Sequence, residues 1–181
     1  MKKALIVIDY TVDFVATEGK LTCGEPGQAL ELTIAALIEQ FITENEFVLF
    51  ANDLHEENDA YHPETKLFPP HNIRGTAGRK LYGKVGEMYA KYKEKVMWLD
   101  KTRYSAFAGT NLAILLKERN IEEIHLVGVC TDICILHTAI DAYNQGIPTV
   151  IYENGVASFN AAGHDWALGH FEHTLGATII K

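Results

Sequence analysis

Cys134 is the residue whose type and setting point most directly to chemistry. It lies in the segment 128–134, which runs from the end of a predicted buried strand into the first turn of a predicted helix. Thr131 or Asp132 is the expected N-cap. A thiol in this position feels the positive end of the helix dipole, which lowers its pKa. The unpaired N–H groups of the turn can bind an oxyanion, so the segment predicts a cysteine nucleophile.

A cysteine nucleophile needs a base, and the sequence contains two candidates. His137 lies three positions after Cys134, which places it further along the helix, whereas Asp9 directly follows the first predicted strand. Lys101 follows the third predicted strand, and an ammonium beside a thiol favours the thiolate. We therefore expect Asp9 to be the base with Lys101 beside it. A purely structural Asp9–Lys101 ion pair is the alternative interpretation.

A second group of reactive side chains follows the second predicted strand. Asp53 and His55 are two positions apart and point the same way from an extended chain, with His62, Glu64 and His71 further on. A carboxylate, two imidazoles and a water suit a divalent ion such as zinc, manganese or iron. This segment therefore predicts a metal site close to the thiol.

Aromatic side chains lie within a few residues of these reactive groups. They are Phe14, Phe68, Tyr104 and Phe107. Most aromatic residues belong to a core, but together these four can enclose a flat ring.

Buried strands must position these residues. Six apolar runs of strand length occur, at 4–8, 47–51, 96–99, 124–129, 149–152 and 177–180. Helical periodicity is found between them, at 28–44, 110–119, 133–145 and 161–174. The runs are continuous rather than alternating, which is typical of parallel strands covered on both faces.

The alternation predicts an α/β fold with three layers, in which helices cover both faces of a doubly wound, mainly parallel, six-stranded sheet. Ligands bind beyond the carboxyl ends of such strands, where the reactive residues fall. The long polar segment 52–94 is expected to be irregular and functional.

Composition narrows the class of protein. The chain has 181 residues, which predicts a single domain over 1–181, and a net charge of −8, which disfavours nucleic acid as a partner. No apolar run approaches the ~18 residues of a membrane span. The N-terminus lacks a cleavage site, so we expect a cytoplasmic protein. Its three cysteines give no disulfide framework, and we assign no chemistry to Cys23.

Four ordered motifs carry a resemblance to a known family. They are residues 4–14, residues 53–55 followed by 68–76, residues 101–107 and residues 128–134. On these motifs the chain resembles the cysteine-hydrolase (isochorismatase-like) superfamily, and within it the bacterial nicotinamidases. The resemblance implies a hydrolase that converts nicotinamide to nicotinate and ammonia through a cysteine thioester in NAD salvage. It also suggests that analogues such as pyrazinamide are accepted.

The resemblance implies roles for individual residues. The catalytic triad falls on Asp9, Lys101 and Cys134. The ligands of one divalent ion, with zinc the first choice, fall on Asp53, His55 and His71. The fourth ligand is expected to be Glu64, with His62 or a water as alternatives.

The remaining implied roles concern the substrate. The oxyanion hole is formed by the N–H groups of Cys130 and Cys134, with a cis peptide before Cys130. The ring contacts fall on Phe14, Leu21, Phe68 and Tyr104. A homo-oligomer is compatible with the resemblance.

Two other functions compete with this one. Amidases of the ureidoacrylate or carbamoyl type share the aspartate, lysine and cysteine but typically lack the metal ligands. A non-catalytic metal or thiol sensor would explain the ion ligands or the cysteines, but not why Asp9 and Lys101 meet at the same edge.

Overall fold

Six parallel strands form one sheet in the computed structural model, which describes residues 1–181. The strands are β1 (Lys2–Ile8), β2 (Phe47–Asp53), β3 (Val96–Lys101), β4 (Ile121–Val129), β5 (Thr149–Ala157) and β6 (Thr178–Ile180). They are ordered β3-β2-β1-β4-β5-β6, and each neighbouring pair is parallel. The predicted doubly wound sheet is confirmed, with a strand at each of the six predicted positions.

Seven α-helices cover the two faces of the sheet. They are α1 (Val12–Val15), α2 (Glu25–Gln28), α3 (Glu31–Thr43), α4 (Gly83–Lys91), α5 (Leu112–Glu118), α6 (Leu136–Asn144) and α7 (Ala161–His173). Leu5 and Val7 of β1 pack in one apolar cluster with side chains from α1, α3 and α4. Ala4, Ile6 and Ile8 pack in the other with side chains from α5, α6 and α7. No helix is both long and apolar enough to cross a membrane.

The segment 52–94 is more ordered than the sequence predicts. It contains α4 and two short 3-10 turns, Pro63–Lys66 and Ala77–Arg79. Helix α4 escapes prediction because Gly83 and Gly86 are poor helix formers. Gly86 is needed in that helix, since a Cβ there would lie 2.8 Å from the Leu81 carbonyl oxygen.

The helix predicted at 133–145 begins differently from expectation. Thr131–Ile135 form a π-helical turn, and the α-helix starts only at Leu136. Cys134 therefore lies in a π-helical turn, a rare conformation that is frequent at functional sites.

The carboxyl ends of the first four strands converge at one edge of the sheet. Asp9 directly follows β1, Asp53 ends β2, Lys101 ends β3 and Cys130 directly follows β4. Asp53 and Lys101 are register partners in adjacent strands. Because parallel strands all end at the same edge, residues far apart in the sequence become neighbours here.

Candidate active site

Lys101 is the charged centre of the site. Its ammonium lies 2.7 Å from Asp9 Oδ2, bonds Asp53 Oδ1 and lies 3.7 Å from Cys134 Sγ. All four residues are buried. Burial alone would lower the pKa of Lys101, but the Asp53 and Asp9 carboxylates raise it well above its ordinary value. Lys101 is therefore a fixed positive charge beside the thiol.

Asp9 is held in an unusual backbone conformation. Its φ is 53°, a left-handed value that aspartate and asparagine tolerate better than most residues. Its Oδ1 accepts a hydrogen bond from the Asp53 N–H at 2.7 Å. Burial, followed by repulsion from Asp53, raises the pKa of Asp9 to about 7, although Lys101 opposes the rise. Asp9 can therefore take up and release a proton close to neutral pH.

The Cys134 thiol is not acidified by its helical turn, so the prediction of a lowered pKa is wrong. Burial raises the pKa of Cys134 well above its ordinary value, and the Asp9 and Asp53 carboxylates add to this effect against Lys101. Burial outweighs the dipole of one short turn because it removes water from the thiolate. At neutral pH the thiol therefore keeps its proton until a base removes it.

Asp9, and not His137, is placed to be that base. The Cys134 sulfur and carboxylate oxygens of Asp9 and Asp53 lie within 4.8 Å of one another. His137 has an exposed ring, and its Nδ1 lies 2.7 Å from the Ile133 carbonyl oxygen.

The turn after β4 carries the expected cis peptide, between Val129 and Cys130. The Cys130 N–H takes part in none of the turn or loop hydrogen bonds, so it is available to an oxyanion. Cys130 itself is the N-cap, and neither Thr131 nor Asp132 caps the turn as predicted.

The side chains of those two residues have other partners. The Thr131 hydroxyl lies 2.8 Å from His164 Nδ1, and Asp132 accepts a hydrogen bond from the Ser158 hydroxyl at 2.7 Å. Thr131 therefore ties the turn that carries Cys134 to α7, and Asp132 ties it to the β5–α7 connection.

Asp53, His55, Glu64 and His71 converge beside the lysine and form the ion-binding group. Each offers one ligand atom, these atoms lie within 4.8 Å of one another, and all four residues are buried. Glu64 Oε1 lies 3.8 Å from His55 Nε2, and Glu64 Oε2 lies 3.4 Å from His71 Nε2. Only Asp53 belongs to a strand, since the other three lie on the connection after β2.

The donor set fits a divalent ion. Asp53 Oδ2, His55 Nε2 and His71 Nε2 are buried and have no hydrogen-bond partner, an arrangement that is costly unless a ligand satisfies them. His71 Nδ1 lies 2.8 Å from the Pro69 carbonyl oxygen, the outer contact typical of metal-binding histidines. Burial lowers the pKa of His55, which favours its neutral form. Two imidazoles and two carboxylates suit zinc, manganese or iron.

His62 is close to the ion-binding group but faces other partners. Its Nε2 lies 2.7 Å from the Thr102 carbonyl oxygen, and its Nδ1 accepts a hydrogen bond from the Glu64 N–H at 3.2 Å. Its ring packs 4.4 Å from that of His55. The structure thus brings Glu64, rather than His62, into the ion-binding group.

A small, mostly apolar cavity joins the thiol to the ion-binding group. It is lined by all four predicted ring contacts and by both predicted oxyanion residues, namely Phe14, Leu21, Phe68, Tyr104, Cys130 and Cys134. Asp53 and Glu64 supply its polar wall. Phe107 is not part of the lining and packs against the core.

Three lining residues were missed by sequence reasoning. Val129 lies directly before Cys130, Ile133 lies three residues after it, and Phe159 lies two residues after β5. The rule that strand ends line the site would have found Phe159, but β5 extends well beyond its predicted apolar run.

Comparison with known proteins agrees with this architecture. The chain matches the family described as Isochorismatase domain over residues 3–181. It is similar to the nicotinamidase/pyrazinamidase of Bacillus subtilis, with 56% identity, a TM-score of 0.98 and 100% of each chain covered. It is also similar to the pyrazinamidase/nicotinamidase of Streptococcus mutans, with 51% identity, a TM-score of 0.97, and 99% of this chain and 100% of that one covered.

A more distant structure shares the fold. It is the pyrazinamidase of Pyrococcus horikoshii in complex with zinc, with 24% identity, a TM-score of 0.86, and 100% of this chain and 99% of that one covered. From the family match over almost its whole length and the sheet described above, the chain belongs to the isochorismatase family.

Proposed function

We propose that this protein is a nicotinamidase, which hydrolyses nicotinamide to nicotinate and ammonia through a thioester on Cys134. The observation that carries the proposal is that one apolar cavity is bordered by both the thiol and the ion-binding group. A flat ring with a nitrogen at one end and a carboxamide at the other matches this arrangement. The names of the Bacillus and Streptococcus proteins support the same substrate.

In the proposed first half-reaction Asp9 takes the proton of Cys134, and the sulfur attacks the amide carbon. Lys101 remains protonated and stabilises the thiolate as it forms. The N–H groups of Cys130 and Cys134 receive the oxyanion. Asp9 then returns its proton to the leaving nitrogen, the carbon–nitrogen bond breaks and ammonia departs.

In the second half-reaction a water attacks the thioester carbon. Asp9 takes a proton from this water, the carbon–sulfur bond breaks and Asp9 returns the proton to the sulfur as thiol, while the new carboxyl group gives its remaining proton to the released ammonia. A pKa of about 7 suits Asp9 to both directions of proton transfer, because it is populated in both forms near neutral pH. Nicotinate is then released.

Asp53, His55, Glu64 and His71 would hold one divalent ion, with zinc the first choice, at the other end of the cavity. When bound, the ion would offer a coordination position to the ring nitrogen and so orient the substrate. The apolar side chains Phe14, Phe68 and Tyr104 would enclose the ring faces and exclude water. Nicotinate would feed NAD salvage, and we place the enzyme in the cytoplasm.

Ammonia release from nicotinamide by the zinc-loaded enzyme tests the proposal. We expect turnover of nicotinamide and pyrazinamide, and none after Cys134→Ala. Cys23→Ala is the comparison, since it removes another buried thiol, which lies 3.0 Å from Cys130 Sγ but does not line the cavity, and it should retain turnover. Turnover of an N-carbamoyl amino acid instead of nicotinamide, with no effect of a chelator, would assign the chain to the metal-free amidases. Binding of Zn²⁺ with no turnover of any amide would indicate a sensor.

A further inference from the structure

Asp13 is a buried carboxylate that the proposed reaction does not use. It lies in α1 and is 7% exposed, and the hydrogen-bond partners of its two carboxylate oxygens are backbone N–H groups rather than cationic side chains. Such a charge is costly to bury unless hydrogen-bond donors compensate it. The donors are backbone N–H groups next to an ion ligand and next to a lining residue of the cavity.

The carboxylate binds the backbone next to an ion ligand. Asp13 Oδ2 accepts a hydrogen bond from the Asn72 N–H at 2.7 Å, and Asn72 directly follows His71. The carbonyl oxygen of Asn72 in turn accepts the N–H of His55 at 3.1 Å. Asn72 has a φ of 47°, a left-handed conformation that needs outside support. Asp13 thus supports Asn72, the residue that follows one ion ligand, His71, and whose carbonyl accepts the backbone N–H of another, His55.

The same residue also holds the ring side of the cavity. Its Oδ1 lies 3.4 Å from the Lys20 N–H, and its carbonyl oxygen accepts the Leu21 N–H at 3.0 Å. Phe14 follows Asp13 in the chain, and its ring packs edge-on against that of His71 at 5.2 Å. Two lining residues of the cavity are therefore tied to the residue that supports the ion ligands.

Gly78 shows how closely the carboxylate is enclosed. A Cβ at this position would lie 2.0 Å from Asp13 Oδ2. Gly78 is not in a left-handed conformation, so a methyl group there would disturb the carboxylate rather than the local backbone.

We propose that Asp13 is a positioning residue that fixes the ion-binding group relative to the part of the cavity that would hold the substrate ring. The expected effect of Asp13 on nicotinamide binding rests on the proposed function. Its expected effect on Zn²⁺ affinity does not, because that affinity is measured without substrate. Removing partners that hydrogen-bond ligand side chains changes metal affinity by about 10- to 100-fold. Asp13 acts through the backbone beside a ligand, so we expect an effect at the lower end of that range.

The test measures Zn²⁺ affinity by chelator competition on the full-length protein, together with thermal stability. We expect Asp13→Ala to weaken Zn²⁺ binding by about tenfold or more. Asp13→Asn should retain most of the affinity, because the amide oxygen can still accept the Asn72 N–H. Gly78→Ala should also weaken Zn²⁺ binding, because its methyl group displaces the Asp13 carboxylate. It replaces Asp13→Ala in the test if Asp13→Ala does not fold.

Glu31→Ala is the matched control. Glu31 Oε1 accepts the Lys84 N–H at 2.6 Å, and a Cβ on Gly83 would lie 2.1 Å from the same oxygen. This carboxylate supports the first turn of α4 in the same manner but belongs to neither the ion-binding group nor the cavity lining. We expect Glu31→Ala to lower thermal stability while Zn²⁺ affinity stays at the wild-type value.

Kinetics add a second readout. At saturating Zn²⁺, Asp13→Ala should raise the KM for nicotinamide more than it lowers kcat, since Asp13 does not touch the reacting atoms. Wild-type Zn²⁺ affinity in Asp13→Ala and Gly78→Ala would overturn the proposal, as would an equal loss in Glu31→Ala. If the wild type binds Zn²⁺ but does not hydrolyse nicotinamide, only the proposed function fails, and the affinities still decide the role of Asp13.

Discussion

Asp53 and Lys101 are register partners at the ends of adjacent parallel strands, and the Lys101 ammonium binds one carboxylate oxygen of Asp53. The other oxygen, Oδ2, is buried without a hydrogen-bond partner and lies 3.9 Å from Nε2 of His55, another member of the ion-binding group. The Asp53 carboxylate therefore contacts Lys101 with one oxygen and faces the ion-binding group with the other.

Asp53→Asn should impair both functions, and excess Zn²⁺ should not restore activity. The substitution weakens ion binding and also removes one of the two anionic partners of Lys101. Glu64→Gln is the comparison, because Glu64 belongs to the ion-binding group but does not bind Lys101. Its activity should recover at saturating Zn²⁺. Ammonia release measured across a Zn²⁺ titration checks this, and full recovery of Asp53→Asn would contradict it.

Glu64 and His62 should differ sharply in their effect on Zn²⁺ affinity. We expect Glu64→Gln to weaken binding by about tenfold or more, because a charged ligand is lost. His62→Gln should have a much smaller effect, since both ring nitrogens of His62 face backbone groups. Chelator competition gives both dissociation constants. A larger loss for His62→Gln would make His62 the ligand.

The pH dependence of kcat/KM should report Asp9. A base must be deprotonated to accept the thiol proton, and the pKa of Asp9 is raised to about 7. Activity should therefore fall as the pH drops through about 7, with a single acidic limb. Asp9→Asn should lower kcat/KM by about 100-fold or more. A midpoint near the ordinary aspartate value would exclude Asp9 as the base.

Asp9 should also make the folded protein less stable at higher pH. Its pKa is raised from 3.8 in the reference state to about 7 in the folded state, so folding favours the protonated form. The stabilisation is fully present below about pH 4 and is lost as the pH rises through about 7. At pH 8, Asp9→Asn should therefore melt at a higher temperature than the wild type although it is inactive. A lower melting temperature would contradict the raised pKa.

Gly128→Ala should destabilise the fold. Gly128 has a φ of 118°, and a Cβ there would lie 2.0 Å from the carbonyl oxygen of Ile8 in the neighbouring strand. We expect the free energy of unfolding to fall by about 3 kcal/mol or more, from strain and collision together. Gly169→Ala in α7 is the control, since its Cβ meets no atom within 4 Å and alanine favours helices. Denaturant unfolding of both variants measures the difference.

The sequence allowed the sheet and the meeting of the reactive residues to be predicted because both depend on short-range patterns. Continuous apolar runs identify strands buried on both faces, and the one or two residues after each run lie at the carboxyl edge. Asp9, Asp53, Lys101 and Cys130 all follow that rule.

What the sequence could not supply depends on three-dimensional packing. Helix α4 is stabilised by contacts such as the burial of Val85, not by its glycine-containing sequence. The pKa of Cys134 is raised because the thiol is buried, and burial depends on the packing of residues that are distant in the chain. His62 is directed away from the ion-binding group by its contact with the Thr102 carbonyl, which is distant in the chain.

The position of β1 has a consequence for how the protein is made. This strand is synthesised before the other five strands of the sheet, yet it lies in the middle of the sheet, where Ile8 pairs with both Ala51 and Gly128. The edge of β1 that pairs with β4 stays unpaired until β4 has been synthesised, and chains with unpaired strand edges are prone to aggregate. Asp9 and Cys134 therefore meet only late in translation, so a truncated chain that ends before β4 carries half a sheet and no reaction centre.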